Sequence, residues 1–216
     1  MCNLYSMTKT QKALLDLVRA MRDLTGNLPP LTAIFPDGVA PVVTSEPNGR
    51  TLRMMRWGFP PPPNMGARPI TNVRNPNSGF WRAWLKPEQR CLVPFTSFCE
   101  YGDWTPKETH WFALNEERPV LFFAGIWRPW NGTRGTKKDP ANGDHLLYSF
   151  LTTEPNAEVK PIHAKAMPVI LHENECETWL RAPIEEALKL QRPFPDGLLK
   201  VVATGKKSDG QSAELL

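Results

Sequence analysis

Apolar positions along the chain change their spacing after the first turn signal. Leu14, Leu17, Val18, Met21 and Leu24 recur at helical intervals, opened by Thr8-Lys9-Thr10-Gln11 as a capping box and closed by Gly26. The spacing predicts an amphipathic helix of roughly 16 residues whose stripe faces the core. Beyond it the pattern turns to short apolar runs divided by Gly, Pro and Asn. Val39 to Val43 and Thr51 to Trp57 flank Glu46-Pro47-Asn48-Gly49, which predicts a hairpin. Cys91 to Pro94, Trp111 to Leu114, Val120 to Trp127, His145 to Thr152, Met167 to Leu171 and Gly197 to Ala203 read as further strands, and Glu173 to Leu180 and Ile184 to Leu190 as helices. The polar, Gly- and Lys-containing stretch from Arg128 to Asp144 reads as a mobile loop inserted in a hairpin, and residues 205–216 as a frayed tail. The whole predicts one α+β domain over residues 1–216, with a curved, mostly antiparallel β-rich core flanked by helices.

Composition narrows the setting. A chain of 216 residues with 41% hydrophobic positions can bury a sizeable core, and neither a repeat nor a linker divides it. No apolar run is long enough to span a bilayer, and Met1 to Ser6 has no signal-peptide character. The four cysteines lack CxxC spacing, and cysteines and histidines are scattered without zinc-ligand spacing. The expectation is a cytoplasmic, reduced, nucleoid-associated monomer without cofactor or metal. The net charge of +4 is mild, but Arg50, Arg53, Arg56, Arg68, Arg74, Arg82 and Arg90 share one stretch with Trp57, Phe59, Trp81 and Trp84. Guanidinium groups meet phosphates and flat rings carry unstacked bases, so single-stranded nucleic acid is a candidate partner.

Cys2 directly follows Met1. Once Met1 is removed, by a housekeeping peptidase or by the protein itself, Cys2 carries an α-amine (pKa roughly 8) beside a thiol (about 8.5). Such a 1,2-aminothiol condenses with an aldehyde to an imine and closes to a thiazolidine ring. The chemistry calls for a proton-shuttling group and for donors that orient the sugar and phosphates. Glu100, in the aromatic setting Phe95-Thr96-Ser97-Phe98-Cys99-Glu100-Tyr101, is the best carboxylate candidate, because burial there raises its pKa. His163, on a loop before a buried strand, is the best placed of the four histidines to act as general acid. Asn72 offers an amide that donates and accepts, with Arg74 on the same side of an extended segment. Each of these positions also has an ordinary structural reading: a paired strand-end glutamate, a solvated loop histidine, a turn asparagine.

Seven short segments in order match one pattern: Met1-Cys2; Arg56-Trp57-Gly58-Phe59; Asn72-Val73-Arg74; Arg90 to Pro94 leading to Phe98-Cys99-Glu100-Tyr101; Phe123 to Trp127; Phe150 to Thr153; and Ile162-His163 with Met167 to Leu171. Over roughly residues 2 to 205 the chain resembles the SRAP family (SOS response-associated peptidase), proteins that shield abasic sites. The resemblance implies a β-rich single domain with a positive channel for single-stranded DNA, and capture of a ring-opened abasic site by Cys2 as a thiazolidine crosslink. It implies that Asn72 orients the Cys2 terminus and the opened sugar. Glu100 would handle amine and carbinolamine protons and act in removal of the first residue, and His163 would open the deoxyribose near its phosphate. It further implies a phosphate contact for Arg74, a cleft wall for Trp57 and a wedge at the DNA junction for Pro36. Asn3-Leu4 replaces the family's common Gly-Arg behind the cysteine, Ala33 replaces an asparagine ahead of the wedge, and Lys165 stands for an arginine. Asn3 and Lys165 therefore remain DNA-side candidates with altered contacts; lysine meets phosphate without the bidentate fork. Two rival readings stay open at this point: an N-terminal-nucleophile cysteine peptidase or amidohydrolase using the same residues, and a non-covalent single-strand binder in which Cys2 is incidental. Lyase-type chemistry is a further possibility within the crosslinking reading.

Overall fold

The computed structural model describes residues 2–63 and 66–210. The elements are β1 (Tyr5–Met7), α1 (Gln11–Val18), β2 (Ala20–Leu24), β3 (Leu31–Ile34), β4 (Val39–Glu46), β5 (Gly49–Trp57), β6 (Asn72–Val73), α2 (Gly79–Arg82), β7 (Arg90–Phe95), β8 (Ser97–Tyr101), β9 (Thr109–Ala113), β10 (Leu121–Gly135), β11 (Pro140–Thr153), β12 (Met167–Pro168), β13 (Ile170–Leu171), α3 (Cys176–Arg181), α4 (Ile184–Ala187) and β14 (Lys200–Thr204). The fold is α+β and strand-rich, as the sequence predicts.

One sheet runs β14-β9-β8-β1-β3. The other runs β12-β11-β10-β7-β4-β5-β2, with β13 on β10 and β6 on β11. Leu147 and Tyr148 of β11 pair in parallel with Arg56 and Trp57 of β5, which closes β11-β10-β7-β4-β5 into a barrel-like ring. Gly58 makes this closure possible. Its φ of +107° suits only glycine, its N–H donates to Tyr148 O at 2.7 Å, and a Cβ there would sit 2.5 Å from Pro69 Cβ. The interior is filled by aromatic rings. Tyr5 meets Trp57 edge-on at 5.2 Å, Trp57 stacks on Phe150 at 5.2 Å, and Phe95 stacks on Phe123 at 3.8 Å. Each such pair contributes about 1 kcal/mol beyond its area burial.

Three expectations are corrected. The first helix covers only Gln11–Val18, capped by the Thr10 hydroxyl accepting from Ala13 N–H at 3.2 Å. Arg19 turns left-handed (φ 49°), and Ala20–Leu24 then pairs in parallel with β5, which leaves Met21 73% exposed. The stretch from Arg128 to Asp144 is regular: β10 and β11 pair without interruption from Gly125↔Phe150 to Gly135↔Pro140. Asn131 donates to Asp144 at 2.7 Å and the Thr133 hydroxyl to Asn142 at 2.7 Å, so its polar residues are cross-strand partners. The expected frayed tail is packed as far as Gly210, with Asp209 buried against Arg118; residues 211–216, like Met1, lie outside the described residues.

Candidate functional site

Pairing in the smaller sheet places Cys2. Tyr5 lies opposite Phe98, and Leu4 O accepts from Cys99 N–H at 2.8 Å, which carries the chain on beside Glu100. Cys2 is fully buried, and its thiol donates to Leu4 O at 3.5 Å. Burial, helped by the nearby Glu100 charge, pushes the thiol well above its ordinary value.

Asn72 reaches Cys2 from the other sheet. β6 pairs in parallel with β11 (Asn72 beside Phe150), and Thr71 O is held by Trp57 Nε1 at 3.2 Å. Asn72 Nδ2 donates to Cys2 O at 3.0 Å and to Thr71 Oγ1 at 2.7 Å. Its Oδ1 is buried and lacks a hydrogen-bond partner among the described residues. An amide anchored through its nitrogen keeps this acceptor ready for a group that enters the site.

Glu100 sits on β8 opposite His110 and is 2% exposed. Burial drives its carboxyl up to about 8, with the Asp103 charge adding to the rise. His163 stands on the loop before β12, its N–H donating to Val159 O at 2.8 Å. Its Nε2 lies 3.9 Å from Glu100 Oε2 and its Nδ1 lies 3.4 Å from Asp103 Oδ1, while burial lowers its pKa. Cys2, Asn72, Glu100 and His163 thus come together from β-pairings and one loop that are distant in sequence. A carboxyl that changes protonation near neutrality, an imidazole and an oriented amide around one aminothiol precursor are equipped for general acid–base work.

A family model described as SOS response associated peptidase (SRAP) matches residues 1–207. The chain belongs to this family. Abasic site processing protein YoqW of Bacillus subtilis (strain 168) is 29% identical over 147 residues, covering 64% of the SRAP chain and 61% of YoqW. Abasic site processing protein YoaM of the same organism is 28% identical over 164 residues, covering 72% of the chain and 67% of YoaM. The chain therefore spans about three fifths of the length of YoqW. Its fold resembles that of a protein from Bacteroides thetaiotaomicron (TM-score 0.75, 22% identity, 92% and 90% of the two chains covered). A protein from Bordetella bronchiseptica is similar in fold as well (TM-score 0.74, 20% identity, 97% and 100% covered).

The other candidates in this SRAP chain are placed less uniformly. Arg74 is exposed two residues beyond Asn72, 3.4 Å from Glu154. Lys165 is exposed two residues beyond His163. Asn3, next to Cys2, is exposed and accepts from the Thr71 hydroxyl at 3.4 Å. Pro36 lies on the loop after β3, which is held through Asp37 by Arg134 Nε at 2.7 Å and Gly135 N–H at 2.8 Å. Trp57 is not a cleft wall. It is fully buried among Tyr5, Tyr148 and Phe150, and its link to the site is the hydrogen bond that holds Thr71.

Most of the arginine stretch is likewise structural. Arg50 pairs with Glu177, Arg53 with Glu46 and Arg56 with Asp37. Buried Arg90 donates to Leu85 O, Trp179 O and Ala182 O at 2.7–2.8 Å, fastening α3 to β7. Arg68, Arg74 and Arg82 remain exposed. Sequence reasoning missed Asp103, which carries no motif and reaches His163 only through the turn between β8 and β9. Among the described residues no group of three His, Cys, Asp or Glu side chains is placed to hold a metal, and no helix is long and apolar enough to cross a membrane.

Proposed function

We propose that this chain is an abasic-site processing protein that forms a covalent adduct with the ring-opened sugar aldehyde of abasic sites in single-stranded DNA. The observation that carries the reading is the convergence of Asn72, Glu100 and His163 on Cys2. The names of YoqW and YoaM point to the same substrate.

The reaction begins when Met1 is removed and the Cys2 amine is unblocked. The neutral amine adds to the aldehyde carbon and forms a C–N bond. The resulting carbinolamine loses its hydroxyl as water, taking one proton from the acid form of Glu100, and leaves an imine. The Cys2 sulfur then adds to the imine carbon, forming the C–S bond as its proton passes to the ring nitrogen. One water leaves, two bonds form at one carbon, and Glu100 recovers a proton from the nitrogen. A carboxyl titrating at about 8 can serve in both directions near neutral pH. Asn72 Oδ1 accepts from the amine or a sugar hydroxyl, and His163 exchanges a proton with the sugar oxygen during ring opening.

The same electrostatics weigh against repeated peptide hydrolysis. A multiple-turnover hydrolase gains from a readily formed thiolate, whereas burial favours the neutral form of this thiol. With the amine leading and sulfur following, no free thiolate is required at rest. Self-removal of Met1 is a single turnover and fits the same residues.

Incubation with abasic single-stranded DNA followed by denaturing electrophoresis tests the proposal. A heat-stable shifted band is expected for the mature protein and is lost in Cys2→Ala. Intact mass is expected to show Met1 absent from active protein. A wild-type sample with a free Cys2 that yields no covalent band overturns the reading, and a high peptide turnover would favour the hydrolase instead.

A further inference from the structure

The turn between β8 and β9 makes three contacts with three consecutive residues of the His163 loop. Asp103 N–H donates to Ile162 O at 3.1 Å, Asp103 Oδ1 lies 3.4 Å from His163 Nδ1, and Asp103 Oδ2 accepts from Ala164 N–H at 3.2 Å. The backbone on either side of the imidazole and the ring itself are thus tied to one residue. On its far side the ring turns Nε2 toward Glu100 Oε2 at 3.9 Å. The imidazole is flanked by two carboxyl groups of different character: Glu100 is buried, whereas Asp103 is nearly half exposed.

We propose that Asp103 is a positioning residue for His163: it takes the Nδ1–H, fixes that tautomer, and so presents Nε2 as the proton-exchanging nitrogen toward Glu100 and the opened sugar. The proposal deepens the reading of Cys2 chemistry given above and rests on it for the identity of the reaction. A neutral imidazole has one donor and one acceptor nitrogen, and an acceptor beside one nitrogen decides which is which. With Nδ1–H committed to a carboxylate, Nε2 keeps its lone pair. It can take a proton from the sugar hydroxyl during ring opening and return it as the adduct forms. Without that acceptor the Nε2–H tautomer competes, and the nitrogen facing the site becomes a donor only.

The charges around the ring agree with this role. Asp103 supports the protonated imidazole, whereas burial, the amino-terminal charge and Lys165 oppose it. Asp103 itself is held below the usual carboxylate range, chiefly by the Ala164 N–H, so it stays ionised as an acceptor across neutral pH.

The test separates this proposal from the function it serves. In free protein, nitrogen-15 NMR of the His163 ring reads the tautomer and pKa without any DNA. Wild type is expected to show predominantly Nδ1–H. Asp103→Ala and the near-isosteric Asp103→Asn are expected to raise the Nε2–H share and lower the pKa further. Crosslinking to abasic single-stranded DNA is then followed against pH. Asp103→Ala is expected to lower the rate about tenfold and move the acid limb of the profile, with partial recovery in Asp103→Glu. A tautomer, pKa and pH profile all unchanged in Asp103→Ala would overturn the positioning role while a wild-type adduct left the function intact. Absence of any wild-type adduct would sink the function, and the ring titration would still decide the positioning.

Discussion

Glu100 shows how one residue's burial links stability to reactivity. Its carboxyl titrates near 8 in the folded chain against an ordinary 4.5, because desolvation penalises the ionised form. Below about pH 4.5 the group is protonated in both states, and its contribution to stability is fully present. As pH rises toward 8 the unfolded chain gives up its proton while the native chain keeps it, so native stability falls across that window and levels off above it. Glu100→Gln keeps the neutral shape and removes the titration. Urea denaturation is therefore expected to find the variant gaining on wild type between about pH 5 and about pH 9, while its crosslinking slows at every pH. A stability gap that does not change with pH would show that Glu100 ionises freely. At this scale the site was partly legible. Cys2 was visible by position, and Glu100 by its aromatic neighbours. The partner of His163 was not visible, because a turn aspartate becomes a neighbour of His163 only through the packing of two loops.

At the scale of elements, legibility followed turn chemistry. Pro47-Asn48 announced the β4–β5 hairpin, and the pairing from Val39↔Arg56 to Glu46↔Gly49 matches it. Periodicity misled where two structures share one apolar spacing. Leu14 and Val18 belong to α1, whereas Met21 and Leu24 continue the rhythm inside a strand that a left-handed Arg19 has started. Polarity misled in the long hairpin, whose Asn and Thr residues read as loop but pair across strands. It misled again at the chain's last described segment. There Asp209 accepts from Arg118 Nε at 2.8 Å and Nη2 at 3.0 Å and from the Ser97 hydroxyl, and its N–H donates to Thr32 O at 2.9 Å. Asp209 is buried whereas Arg118 keeps some contact with water, so removing Asp209 costs chiefly its charge-assisted hydrogen bonds, about 2 kcal/mol. Asp209→Ala is accordingly expected to lower the urea midpoint at constant slope. A frayed tail would tolerate the change without effect.

For the molecule as a whole, the proposed function asks how a chain with a net charge of only +4 would hold a polyanion. Sequence alone offers seven arginines in one stretch. The fold spends Arg50, Arg53, Arg56 and Arg90 on ion pairs and carbonyls, so they cannot also release counterions from DNA. Arg68, Arg74 and Arg82 remain, with Lys165 beside His163. Arg74 is the best placed of these, since it follows Asn72 on the segment that contacts Cys2 and its ion-pair partner, Glu154, is 70% exposed at 3.4 Å. An ion pair so open to water contributes little and yields readily to a phosphate. Each phosphate contact on a single strand adds about 0.7 to the slope of log affinity against log salt. Arg74→Ala, measured in a Cys2→Ala background that isolates non-covalent binding, is thus expected to weaken association and to flatten that slope by about 0.7. Arg50→Ala is expected to lower stability while leaving the slope alone, because its guanidinium is already committed to Glu177 and Val18 O. Equal slopes for Arg74→Ala and its parent would take Arg74 out of the phosphate path and move the electrostatic contact to Arg68, Arg82 or Lys165.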